Sequence, residues 1–257
     1  MTSKEMAVIN IIKKSIGIVT VLLFMHAPAN AGWLDAVAGV KLVDGNGNLQ
    51  KQQRVVSGFH EINLFLPVRV ELHQGNIEHV EVDADENLQS LIDTVVENGA
   101  LQIRPAQKRT YPQMKHVLIK IYFRNLSEMR ISDAGKVSAA VLDTPSFRLN
   151  IGGSGSVQIQ NLRTEKLETR IGGSGNLSAV GVATQIDATI GGSGSLLLDK
   201  LEASDVKVKI GGSGHVSTWA KNNLNVKIGG SGEVRYLGNP QISQSIGGSG
   251  KIVRMDM

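Results

Sequence analysis

No cysteine occurs among the 257 residues, which excludes disulfides, thiolate metal sites, a cysteine nucleophile and a lipidated N-terminal cysteine. Aromatic residues are scarce at 4%, and from residue 141 onward they are Phe147, Trp219 and Tyr236 alone. That is thin provision for an enzyme that grips sugar rings. A strong charge of one sign is also missing: 27 basic and 23 acidic residues leave a formal net charge of +4. The chain therefore lacks the basicity of a nucleic-acid binder. Long hydrophobic runs are absent too. The longest, Ile16 to Ala27, is well short of the ~20 residues needed to span a bilayer.

That short run has another use. Lys4, Lys13 and Lys14 precede it, and Ala29-Asn30-Ala31 follows with small residues around a cut before Gly32. This is the three-part pattern of a secretory signal peptide over residues 1–31. Cleavage would remove three lysines and one glutamate and lower the net charge to +2. The expectation is an exported chain with no transmembrane segment after cleavage.

Glycine is abundant at 29 residues, and 18 of these lie in six copies of Ile-Gly-Gly-Ser-Gly, beginning at Ile151, Ile171, Ile190, Ile210, Ile228 and Ile246. The corner glycines are Gly152, Gly153 and Gly155; Gly172, Gly173 and Gly175; Gly191, Gly192 and Gly194; Gly211, Gly212 and Gly214; Gly229, Gly230 and Gly232; Gly247, Gly248 and Gly250. Successive copies are 20, 19, 20, 18 and 18 residues apart, and Ile131-Ser132-Asp133-Ala134-Gly135 reads as a degenerate seventh. A period near nineteen marks a solenoid, in which each repeat buries its apolar face only against its neighbours.

Within a repeat, apolar and polar residues alternate, as in Val206-Lys207-Val208-Lys209-Ile210. That is the period of a strand. The second residue after each pentapeptide is apolar in all six copies: Val157, Leu177, Leu196, Val216, Val234 and Ile252. Each repeat reads as strand, glycine corner, strand and a polar return such as Lys221-Asn222-Asn223. The expected fold is all-β, a parallel β-helix of about seven coils of 18–20 residues over 131–257. At a spacing of about 4.8 Å it would stand on the order of 34 Å tall. The glycines are expected to turn the corner through positive φ and to let coils approach closely.

Residues 32–53 read as a loose segment and 54–130 as a β-rich N-terminal part that caps the solenoid. Strands are expected at Arg54–Val56, Phe65–Leu72, His79–Asp83, Leu101–Arg104 and Val117–Phe123. Asn98-Gly99 signals a hairpin, and Glu86–Ile92 a short helix capped by Asp85.

Val56-Ser57-Gly58-Phe59-His60-Glu61-Ile62, Val80 to Leu88 and Gly99-Ala100-Leu101-Gln102-Ile103, followed by the Gly-Gly-Ser-Gly rungs, resemble the auto-transporter adhesin head domain called the GIN domain. The resemblance covers about residues 54–254. It implies a right-handed parallel β-helix exported to the envelope of a Gram-negative bacterium, periplasmic or at the cell surface, and it carries no catalytic residues. The C-terminal membrane barrel of an auto-transporter has no counterpart after the last pentapeptide, so surface attachment is expected to come through a partner.

Several chemistries are tempting. Gly250-Lys251 suggests a phosphate loop, but a Walker motif needs glycine where Ser245 stands and a hydroxyl where Ile252 stands. Gly152 to Ile159 matches the calcium-binding β-roll nonapeptide except at its aspartate, the source of the oxygens that a hard cation needs. Ser154, Ser174, Ser193, Ser213, Ser231 and Ser249 would form a hydroxyl ladder; such a ladder could bind an extended glycan, though serine is also a turn residue whose side chain caps the backbone. Arg170, Lys209 and Lys227 form a basic stripe that could meet an anionic surface, with Glu168 and Asp187 beside it and a solvated face as the favoured reading. His73 and His79 could bind a metal, although exposed strand histidines are the better reading. His215 occupies a position held in other coils by Ser156, Asn176, Ser195, Glu233 and Lys251, an exposed variable column.

The chain is expected to be non-enzymatic and to require no cofactor or metal. Its rigid surface is expected to bind an envelope protein or a glycan. A polysaccharide-active enzyme is the alternative, but Asp187, Asp199, Glu202 and Asp205 do not occupy equivalent places in adjacent coils, as a catalytic carboxylate pair would require. Self-association through the last coil, Lys251 to Met257, is a third reading.

Overall fold

The computed structural model describes residues 41–113 and 115–256; the expected signal peptide lies outside them. The chain is a β-solenoid of parallel stacked coils, as the repeat period implies. Ile131, Ile151, Ile171, Ile190, Ile210, Ile228 and Ile246 stand in register, each opposite the next. Val137, Val157, Leu177, Leu196, Val216, Val234 and Ile252 form a second column just past the corner. Alternation places these columns inward, and through Ile228 and Val234 their members are no more than 3% exposed.

The parallel stack extends below residue 131. Ile131 pairs with Leu64 and Leu64 with Ile103, while Val137 pairs with Val70 and Val70 with Ile119. Leu64-Phe65-Leu66-Pro67-Val68 is therefore a corner of pentapeptide length with no glycine. Its ends carry the same hydrogen bonds, Ser132 N–H to Leu64 O at 3.0 Å and Lys136 N–H to Val68 O at 2.9 Å. The strand expected at 65–72 therefore begins only at Arg69, in Arg69–Gln74, while Glu61–Leu64 is a strand on the other side of the corner that holds Pro67.

The lowest rung is closed on both edges. His79–Asp85 pairs antiparallel with Leu118–Phe123, and Ile92–Glu97 with Ala100–Pro105 across the Asn98-Gly99 turn, whose φ values are 52° and 78°. The cap thus covers the edge of the parallel stack with antiparallel strands. Two expectations change here. Residues 49–53, read as loose, join Arg54 in a strand, Leu49–Arg54, antiparallel to His79–Asp85, and the strand expected at 54–56 ends at Arg54. The helix stops after Glu86–Gln89, without a side-chain cap from Asp85, because Ile92 already begins a strand. The Arg54 guanidinium holds this corner together by donating to the carbonyls of Gln89, at 2.7 Å, and Ile92.

The repeats differ from expectation in two ways. Strands run unbroken from corner to corner, as in Ser156–Ile171 and His215–Ile228, so Lys221-Asn222-Asn223 is strand and not a loop. The return is absorbed instead by register shifts such as that between Ile159 and Leu162. The corner glycines also have a different cause. Positive φ is found at Gly47, Gly58, Gly99, Gly181 and Gly238, and at none of the eighteen pentapeptide glycines. Crowding between coils explains two of every three. A Cβ on Gly214 would lie 2.7 Å from Cγ2 of Ile190 in the coil below, whereas one on Gly211 would meet nothing nearer than 3.8 Å.

Two hydroxyls in the core, Thr169 Oγ1 and Thr218 Oγ1, are buried without a hydrogen-bond partner. A buried, unmatched polar group costs about 1–3 kcal/mol. Thr218→Val should therefore raise stability by about 1 kcal/mol, read as a higher denaturant midpoint with an unchanged slope. A lower midpoint would show that the hydroxyl has a partner.

Candidate functional site

Each coil presents two outward faces, one before the pentapeptide and one after it, with the serine edge between them. On the first face the lower rungs are electrically closed. Glu128 is 5% exposed and receives Arg130 at 2.6 Å, Arg148 at 3.1 Å and Asn150 at 3.0 Å. Arg130 also reaches Glu61 at 3.3 Å, Arg148 reaches Glu168 at 3.4 Å, and Arg170 pairs with Glu168. The hydrogen bond that Arg148 donates to Glu128 and the charge of Glu168 hold the Arg148 pKa above its ordinary value. The basic stripe read from the sequence is therefore divided. Arg170 is committed to Glu168, whereas Lys209 and Lys227, opposite one another in register, make no ion pair among the described residues.

The six serines do line one exposed edge. Their hydroxyls cap no backbone group among the described residues. The contact is made by the main chain: the N–H groups of Ser174, Ser193, Ser213 and Ser231 each donate to a glycine carbonyl of the coil below at 3.1 Å. The ladder is a row of exposed hydroxyls that lines none of the described depressions.

The second face is concave. A groove of about 530 Å³ crosses the rungs from Leu118 to Leu197. Its floor is small and polar, with Ser138, Ser156, Gln158, Asn176 and Ser178, and its lower end carries Arg69, Glu71 and Lys136. Alternation explains the composition, since Val70, Val137, Val157 and Leu177 between them point into the core. Above the groove the face is committed internally: Ser217 donates to Asp199 at 2.8 Å, and Glu233 lies 3.8 Å from Arg235 and 3.5 Å from Lys251. Sequence reading located the Ser156–Asn176 column as exposed but missed Arg69, Glu71 and Leu118, because the rungs they occupy carry no pentapeptide.

The remaining candidates separate. Asp199 accepts from Ser217, Glu202 from Lys221 at 2.7 Å and Asp205 from Asn223 at 2.6 Å, each on the next coil. These carboxylates tie coils together. His73 and His79 stack on Tyr122 with ring centroids 4.9 and 4.1 Å away; both pair in register with Tyr122, so its ring stands between them and they do not converge on one ion. The place a calcium roll gives to aspartate is filled by the buried Val157, Leu177, Leu196, Val216 and Val234. A second depression exposes Phe65 and Tyr111 beside Arg104 and Lys108. Its arginine is paired with Asp93 at 3.1 Å and Glu97 at 2.7 Å, and the hydrogen bond from Arg104 lowers the Glu97 pKa.

Residues 58–240 match the family described as "Putative auto-transporter adhesin, head GIN domain". No curated protein matches the chain. Among solved structures, one described as a putative adhesin from Bacteroides fragilis NCTC 9343 is similar with a TM-score of 0.79 at 22% identity, over 83% of this chain and 100% of that one. One described as a putative lipid binding protein from Parabacteroides distasonis ATCC 8503 has a TM-score of 0.72 at 26% identity, over 84% and 100%. A putative adhesin from Parabacteroides merdae ATCC 43184 has a TM-score of 0.68 at 23% identity, with the same coverage.

Proposed function

Given that the chain belongs to the auto-transporter adhesin head GIN domain family, we propose that it is an exported, non-catalytic binding protein of the cell envelope. Its ligand is an extended surface glycan, held along the face that follows the glycine corners. The observation that carries this reading is the groove from Leu118 to Leu197, whose floor of serine, asparagine and glutamine makes few bonds within the chain. Uncommitted hydroxyls and amides can serve the hydroxyls of a sugar polymer. The apolar wall is limited to Leu118 and Leu197, which suits a glycan better than an acyl chain. Rigidity supports the same role. A stack fixed by coil-to-coil hydrogen bonds presents its floor without an ordering cost on binding.

A glycan array probed with the purified chain tests this. Oligosaccharides of several units should bind, and Asn176→Trp, which fills the groove from its floor, should remove at least about 90% of the signal with the unfolding midpoint unchanged, a loss of about 1.4 kcal/mol or more. Binding that survives Asn176→Trp would move the site elsewhere. Release of shortened products from the bound glycan would favour the enzymatic reading.

A further inference from the structure

The groove's lower end holds an electrostatic anomaly. Arg69 and Lys136 lie directly opposite one another on adjacent rungs, and like charges placed so are destabilising. Neither makes an ion pair among the described residues, and the one acid that lines the groove, Glu71, lies 3.6 Å from His73. On the lower rungs of the other outward face, by contrast, Glu128 stands between Arg130 and Arg148 and answers both; Lys209 and Lys227 higher on that face also oppose one another, but they line none of the described depressions. Directly above Lys136 come Ser156 and Asn176, which offer hydrogen bonds without a countercharge.

We infer that the groove takes an acidic polysaccharide, with a carboxylate or sulfate of one sugar seated at Arg69 and Lys136 and the chain running over Ser156 and Asn176 toward Leu197. This rests on the glycan-binding reading above and narrows it. A guanidinium offers paired donors to the planar or tetrahedral oxyanion, and the ammonium adds a second charge. The groove spans five rung spacings of about 4.8 Å, on the order of 24 Å, enough for several sugar units. An anion bound there would relieve the repulsion between the two cations, so the site is poised for a ligand of this charge.

Calorimetry with the full chain decides it, using a uronic-acid hexasaccharide, a neutral glucose hexasaccharide and anionic phospholipid vesicles as probes. The uronate should bind, weaken steeply between 50 and 500 mM salt as about a Debye length of screening predicts, and lose affinity about tenfold or more in Arg69→Gln and in Lys136→Gln. Both variants should unfold at the same temperature as the parent or slightly above it, since each removes one of two repelling charges. A merely structural role would lower that temperature. Full uronate affinity in both variants overturns the inference, as does a preference for vesicles. Equal binding of the neutral hexasaccharide, abolished by Asn176→Trp, overturns it while leaving the glycan-binding reading intact. Failure of both hexasaccharides overturns both.

Discussion

Gly212→Ala is expected to destabilise the solenoid by about 3 kcal/mol, while Gly211→Ala, one residue earlier in the same corner, should be neutral or slightly stabilising. The new Cβ at 212 would collide with the carbonyl oxygen of Gly192 and lie 3.1 Å from its carbon. Both atoms are backbone and cannot rotate away. That carbonyl also accepts the N–H of Ser213 at 3.1 Å, so moving it aside breaks a bond between coils as well as straining the corner. At 211 the nearest atom is the Ile190 carbonyl oxygen at 3.8 Å, an ordinary contact. Removing a glycine there reduces the entropy of the unfolded chain, worth about 0.4–1 kcal/mol where the backbone tolerates it. Because each coil contacts only its neighbours, damage at 212 should spread along the stack in one dimension. Hydrogen exchange should show loss of protection centred on residues 190–237 and retained protection in the cap strands at 79–105. Equal effects at 211 and 212 would show that crowding is not the reason for the glycines.

Ile190→Ala should cost about 3–4 kcal/mol, within the range for emptying a buried isoleucine site. Ile190 is fully buried between Ile171 and Ile210. Its Cγ2 is also the atom that a Cβ on Gly214 would meet at 2.7 Å, with Cδ1 at 3.1 Å. The isoleucine of one coil thus seats its branch methyl against the last glycine of the next. The same contact recurs at Gly155, Gly175, Gly194, Gly232 and Gly250, made by Ile131, Ile151, Ile171, Ile210 and Ile228, which explains the isoleucine that opens the first five pentapeptides. Leucine carries no methyl on Cβ. Gly214→Ala alone should cost about 2–3 kcal/mol by overpacking. Combined with Ile190→Ala the clash with Cγ2 and Cδ1 is gone and the new methyl occupies part of the void, leaving the Gly194 carbonyl oxygen at 3.1 Å as the one tight contact. The double variant should therefore be less destabilised than the sum of the two by at least about 1 kcal/mol. Strict additivity in denaturant melts would show that the two residues do not interlock.

Much of the architecture was legible residue by residue. The alternation around Val206 to Ile210, the six isoleucines spaced 18–20 residues apart and the apolar residue two places beyond each corner dictate a strand, a period and an inward column. Asn98-Gly99 declared its hairpin because both residues accept left-handed geometry. The helix at 86 was half right for a related reason. Local propensity favoured it, but Ile92 to Val96 were claimed by pairing with Leu101 to Pro105, and tertiary pairing overrides a weak local preference. The cause assigned to the corner glycines was also incomplete. A sequence shows that glycine is required without showing whether a dihedral angle or a neighbour requires it.

The candidate site was less legible. Ser156 and Asn176 were visible as an exposed column, yet Arg69 and Leu118 are 87 and 38 residues from their counterpart Ser156 along the chain, and Glu71 is 87 from its counterpart Gln158. Nothing in a period of nineteen brings them together. Sequence by itself determined the coil: which residues face inward, where it turns and why isoleucine and glycine recur. The tertiary structure decided the order of stacking, in which residues 61–74 lie between 100–123 and 128–139. The physical reason lies in how each is encoded. Alternation and spacing act over a few residues and are written locally, whereas stacking order depends on which exposed strand edge can pair with which, a choice made between distant segments once the coils exist. The groove, with its two facing cations, is a product of that choice.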